Sequence, residues 1–148
     1  VKPLIMESAL SKYLFVYSSL RKGFHQSKYD YMTQHFSFVA PVRVKGVITD
    51  CGGEFFVTPA RGNTFIKGEL YLLKNVDDFS WVFGQLDDYE GLIPEEGEQP
   101  LYRRELTKAF NEEGSEIDAW IYWYNGDVKG KPVINEGKIS DYNNLKNH

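Results

Sequence analysis

The sequence predicts an α+β domain in which an antiparallel or mixed sheet curls into a small barrel flanked by two helices. Three observations carry that prediction. Five or six short runs are rich in aromatic and β-branched residues, the composition that fits a pleated, half-buried surface. Hairpin-length turn signals separate them, among them Asp50-Cys51-Gly52-Gly53 and Asn125-Gly126. Only two stretches are helical in character, which with five or six strands suggests an antiparallel sheet curled toward a barrel.

The elements follow in chain order. Tyr13 to Tyr17 is a continuous aromatic and aliphatic run, as expected of a strand buried on both faces. It ends in Ser18-Ser19, with Lys22-Gly23 shortly beyond. Ser27 to Phe36 reads as a helix. Val42, Val44, Gly46 and Ile48 then alternate with Arg43, Lys45 and Val47, and Glu54 to Thr58 continues the sheet beyond the glycine turn. Phe65 to Leu73, Tyr102 to Phe110 and Ile117 to Tyr124 supply three more strands. The polar last dozen residues read as a surface tail.

Composition excludes several function classes. The 148 residues fit a single domain, with its core at about 13–142. A chain this long buries about two-thirds of its unfolded surface and needs neither disulfide nor metal to fold. Seventeen basic residues against 21 acidic ones give a net charge of −4, which argues against nucleic-acid binding through phosphate neutralisation. No apolar run approaches the ~18 residues of a membrane span, and no signal peptide opens the sequence, so a cytoplasmic setting is expected. The lone Cys51 cannot form an internal disulfide, and three histidines are too few for a histidine-rich metal centre. The 3 Trp, 10 Tyr and 10 Phe, 16% of the chain, imply a well-filled interior or a pocket walled with rings.

Asp77 to Glu90 is the clearest helix, with Asp77 or Asp78 as its cap and Gly91 suited to follow its last turn. Taking about 100° per residue from Phe79, Val82, Phe83 and Leu86 form one apolar stripe. Glu90 lands in the middle of that stripe, whereas Asp88 falls on the opposite face. A carboxyl on the core side has its pKa raised by desolvation and by the negative end of the helix dipole. Asp87, if ionised, adds repulsion. Such a group suits a general base that must next act as an acid. The wheel alone also accommodates a frayed last turn, with Glu90 in solvent or paired to Arg103 or Arg104.

Tyr17-Ser18-Ser19-Leu20 follows a buried strand and leaves several backbone N–H groups free to converge as an anion-binding nest, or to close an ordinary turn. A serine nucleophile finds no Gly-x-Ser-x-Gly context here. Cys51 reads as a passive thiol, His25 and His35 as surface or partly buried histidines, and Tyr122, Trp123 and Tyr124 as core. Gly52-Gly53 lacks phosphate-loop spacing. Asp87, Asp88 and Glu90 point too far apart on a helix to share one metal ion.

Taken together, these segments resemble the gamma-glutamylcyclotransferase-like family. The family's Tyr-Gly-Ser-Leu loop reads Tyr17-Ser18-Ser19-Leu20, and its Gly-Glu-Leu-Tyr strand reads Gly68-Glu69-Leu70-Tyr71. Its acidic helix end is Leu86-Asp87-Asp88-Tyr89-Glu90-Gly91, its Tyr-x-Arg strand Tyr102-Arg103-Arg104, and its penultimate aromatic strand Ala119-Trp120-Ile121-Tyr122. The ending Ile134 to Tyr142 is loosely similar to the family's. The resemblance implies a gamma-glutamylcyclotransferase-like barrel and an acyl-transferring, cyclising enzyme. On that reading Glu90 is the catalytic acid/base, and Tyr17, Ser18, Ser19 and Leu20 hold the glutamyl part of a small-molecule γ-glutamyl substrate. The products are 5-oxoproline and an amine or amino acid, and no cofactor or metal is implied. Ser18 departs from the family's glycine, which leaves open a non-catalytic module that binds a small carboxylate.

Overall fold

A computed structural model describes residues 11–17, 26–52, 54–89 and 96–134. Strand β1 is Tyr13–Tyr17, helix α1 Gln26–His35, β2 Phe36–Cys51, β3 Glu54–Pro59 and β4 Phe65–Leu73. A 3-10 turn, Val76–Asp78, leads into helix α2, Phe79–Tyr89. Strands β5 (Tyr102–Phe110), β6 (Glu116–Tyr124) and β7 (Val133–Ile134) complete the order.

The strands close in the sequence β2-β4-β1-β6-β5 and back to β2, a five-stranded barrel. All of its pairings are antiparallel except β1 with β6, where Leu14 registers with Trp120. The small barrel expected from the sequence is present, with β3 and β7 added along the far end of β2.

Period-two alternation divides the core into two clusters. Phe15, Val44, Ile66, Leu70, Ile121 and Trp123 fill the barrel. Leu14, Val16 and Tyr71 turn outward and are covered by Met32 of α1 and by Val82, Phe83 and Leu86 of α2. The apolar stripe read from the helical wheel is therefore the face that docks on the barrel. β1 is buried on both sides, as its unbroken apolar run requires.

The structure revises the reading at three places. Strand β2 runs for 16 residues and begins at Phe36, well before Val42. Its opening hides in the sequence because Phe38 and Val39 are exposed, Pro41 reads as a breaker, and a register shift falls between Phe38 and Ala40. The cap before α2 is Asn75 rather than Asp77 or Asp78. Its side chain accepts the Asp77 N–H at 3.0 Å because a 3-10 turn precedes the helix. The two aspartates then sit in that first turn, where negative charge suits a helix start. Finally, β7 is too short to leave any periodicity in the sequence.

Candidate active site

Asp87 is the last-turn residue of α2 that the wheel places at the edge of the apolar stripe, about 80° from Phe79. Two strands supply its partners. Arg104 on β5 and Tyr122 on β6 are register neighbours, so both project side by side toward the helix. Arg104 Nε donates to Asp87 Oδ1 at 2.7 Å and Nη2 to Oδ2 at 3.0 Å, a two-pronged pair. The Tyr122 hydroxyl donates to the same Oδ1 at 2.7 Å. The guanidinium lies 4.5 Å from the ring centroid of Trp120 and 5.1 Å from that of Phe83. Only 19% of the Arg104 side chain and 16% of Asp87 remain exposed, so the pair is shielded rather than solvated.

Charge and burial act on each other here. Burial pushes the Tyr122 hydroxyl far above the ordinary phenol range, and its bond to the negative Asp87 pushes it further, against the opposing charge of Arg104. Burial would lower the Arg104 guanidinium. The hydrogen bond and charge of Asp87 outweigh that and raise it.

The sequence reading made Asp87 a source of repulsion for Glu90. In the structure the Asp87 carboxylate itself faces a guanidinium fork and a hydroxyl. Arg103 has a separate partner, with its Nε 2.9 Å from Glu105 Oε2. Of the residues singled out in the sequence, Tyr17 ends β1 and packs its ring against the barrel interior. Ser18, Ser19, Leu20 and Glu90 lie outside the described residues, as do His25 and Gly91.

The described chain nonetheless brings the approaches to the two motifs together. Parallel strands advance in step, so from Leu14 opposite Trp120 the end of β1 at Tyr17 comes level with Trp123. Asp87 is bonded one residue earlier on that same strand, at Tyr122. The end of β1, beside β6 in the sheet, and the last turn of the helix, on its outer face, therefore meet at one end of β6.

Gly68 supports this end from β4, where it registers with Tyr17. A Cβ at position 68 would run into the Phe15 ring and the Val16 carbonyl oxygen. Further along the same strand, the Tyr71 hydroxyl donates to Glu69 Oε1 at 2.7 Å.

The C-terminal aromatics divide by role. Trp123 is inside the barrel, as expected of core, while Tyr122 joins the Asp87 network. Tyr124 stacks on Phe56 at 3.9 Å and meets Tyr102 edge-on at 5.8 Å. His35 is partly buried against Tyr31 and Trp81, and Cys51 is a free, half-buried thiol at the end of β2. Among the described residues no three His, Cys, Asp or Glu side chains converge as a metal site. No helix among them is long and apolar enough to cross a membrane.

Sequence reasoning missed the roles of Arg104 and Tyr122. The available signal was the position of Asp87 at the rim of an apolar stripe, where a shielded carboxylate needs a cation. Which cation depends on strand register, which the sequence does not display.

A closed five-stranded barrel with two helices laid against its outer face is the gamma-glutamylcyclotransferase-like architecture. The chain belongs to the family described as gamma-glutamyl cyclotransferase, AIG2-like, which matches residues 14–141. Solved structures repeat the fold. An uncharacterized protein from Pyrococcus horikoshii superposes with a TM-score of 0.57 at 20% identity, covering 93% of this chain and 97% of that one. YkqA from Bacillus subtilis gives 0.54 at 22% identity over 83% of this chain, but only 38% of its own length. A gamma-glutamyl cyclotransferase gives 0.50 at 15% identity, with 93% and 80% covered. No curated protein sequence matches the chain.

Proposed function

We propose that this protein is a gamma-glutamyl cyclotransferase-type enzyme that releases 5-oxoproline and an amine or amino acid from a small γ-glutamyl compound. Glu90 serves as general acid/base, and the backbone of Tyr17, Ser18, Ser19 and Leu20 holds the glutamyl portion. The observation that carries this reading is the family match along residues 14–141. The matched stretch spans both Tyr17-Ser18-Ser19-Leu20 and Glu90.

The reaction is an intramolecular aminolysis. Glu90 takes a proton from the α-ammonium, and the freed amine attacks the γ-carbonyl carbon. Backbone N–H groups stabilise the oxyanion. The bond from the γ-carbon to the departing nitrogen then breaks as the Glu90 carboxyl returns a proton to it. The attacking nitrogen sheds two protons in becoming a lactam N–H, and the departing one gains two in leaving as an ammonium. One carboxyl relay therefore balances the reaction. Because both groups belong to one molecule, holding it folded supplies much of the rate. Rings such as Tyr102 and Tyr124 suit the walls of a cavity that favours cyclisation over hydrolysis.

The test is 5-oxoproline release from a panel of γ-glutamyl amines and amino acids, with Glu90→Gln beside the native chain. Loss of a general acid/base lowers kcat about 10²-fold or more. Equal turnover by both proteins would remove Glu90 from this role.

Ser18, in place of the family's glycine, favours a second reading, a module that binds a small carboxylate without turning it over. Glycine lets a ligand approach the backbone closely and accepts left-handed conformations; serine does neither freely. Thermal stabilisation by a γ-glutamyl compound with no product formed would support that reading.

A further inference from the structure

We infer that Asp87, Arg104 and Tyr122 form a positioning unit that fixes the end of α2, and with it the point from which Glu90 works. The inference rests on the catalytic role proposed above for Glu90.

The end of α2 is poorly made by local physics. Its last turn contains Asp87 and Asp88 and no basic residue, so negative charge sits where the helix dipole is already negative. The helix has 11 residues, a length that is marginal in isolation, and helix ends fray. Stability for this turn must come from outside the helix. It comes from β5 and β6, through three hydrogen bonds to one carboxylate.

The form of this support specifies direction. A guanidinium fork on a carboxylate fixes an orientation as well as a distance, which an ammonium does not. Trp120 and Phe83 hold the guanidinium by their rings, and strand register fixes Arg104 beside Tyr122. Shielded ion pairs are weak sources of stability, since well-packed apolar side chains of similar volume often serve as well. Such a unit earns its place by holding geometry.

The position held is the one the chemistry needs. Glu90 follows Asp87 by three residues, so covalent geometry alone keeps their Cα atoms within about 11 Å. A misplacement of 1 Å in a reacting group costs about 10²-fold in rate. The unit also joins two segments quoted separately in the sequence, the acidic helix end and the Tyr-x-Arg strand, into one contact.

The experiment uses the full chain with Asp87→Asn, Arg104→Lys, Arg104→Met and Tyr122→Phe, read in two ways. Amide hydrogen exchange is expected to lose at least tenfold protection in the last turn of α2 while β1, β4 and β6 keep theirs. Turnover of the best γ-glutamyl substrate is expected to lose about 10- to 100-fold in kcat, with KM within about twofold. Arg104→Lys should resemble Arg104→Met, because it keeps the charge and loses the fork. Protection lost evenly across the chain, or kcat unchanged per folded molecule, overturns the inference. If the native chain turns over no γ-glutamyl compound, the functional reading fails, and local loss of exchange protection still decides whether the unit holds the helix end. Tyr122→Phe keeps the ring and both members of the ion pair, and so keeps the test available should the charge variants fail to fold.

Discussion

The Phe15 ring lies across Gly68 on the neighbouring strand, in space that any side chain at 68 would need. The Val16 carbonyl closes the same space from the backbone side, so rotating the ring cannot relieve a collision. Gly68→Ala is accordingly expected to cost about 1–3 kcal/mol, toward the upper figure. Urea unfolding measures this as a lower midpoint. An unchanged midpoint would show that β1 and β4 separate more easily than their register implies.

Phe83 anchors α2 to the barrel. It is 1% exposed, meets Phe36 edge-on at 5.6 Å and tilts against Phe79 at 4.7 Å. Phe83→Ala should cost about 3–5 kcal/mol by loss of burial and the cavity left behind. It also removes one of the two rings beside the Arg104 guanidinium, so thermal unfolding and exchange in the last turn of α2 should both respond.

Alkaline pH probes the Tyr122 hydroxyl. Its folded-state pKa is raised above the unfolded value of 10.0, so the folded protein favours the protonated hydroxyl. That contribution is fully present below pH 10 and is lost as pH rises above it, at up to about 1.4 kcal/mol per pH unit. Tyr31 shifts the same way, through burial and the charge of Asp78, but it is present in both proteins when the native chain is compared with Tyr122→Phe. The difference between their urea midpoints is therefore expected to be larger at pH 8 than at pH 11. A gap that widens with pH would contradict the assignment.

Ser18→Gly restores the residue the family has in the first loop. Where serine strains a left-handed position by about 1–2 kcal/mol, its relief raises kcat/KM by roughly tenfold. Rates measured on γ-glutamyl amines and γ-glutamyl amino acids in parallel show whether Ser18 weakens catalysis or redirects it. A drop on every substrate would mean that the Ser18 hydroxyl is itself a ligand contact.

Much of the barrel was legible because its strands are rich in aromatic and β-branched residues and separated by turn signals. Phe65–Leu73 and Tyr102–Phe110 have the bounds their patterns predict, and β6 starts one residue early at Glu116. The barrel-facing stripe of α2 was readable too, since Val82, Phe83 and Leu86 recur at helical spacing. Illegible features depend on partners distant in the chain. The opening of β2 is defined by pairing with β4 rather than by its own composition, and β7 exists only against Ile48 and Thr49. Asp87 was visible as a charge, while its neutralisation by Arg104 required the β5–β6 register and the docking of α2 together.

The pairing of β1 with β6 sets the order in which this protein can be made. Ser11 bonds to Asp118 and Trp120, more than a hundred residues later, so the circle stays open until β6 has been synthesised. Until then β1, β2, β3 and β4 can associate only as an open sheet, with the free edges of β1 and β2 awaiting β6 and β5. At translation rates of about 5–20 residues per second, that half-built state lasts for seconds. Its unpaired edges are templates for a second nascent chain. Premature termination before Tyr124 would leave the barrel unsealed and give polysomes a sticky product, so chaperone dependence should rise with the concentration of growing chains.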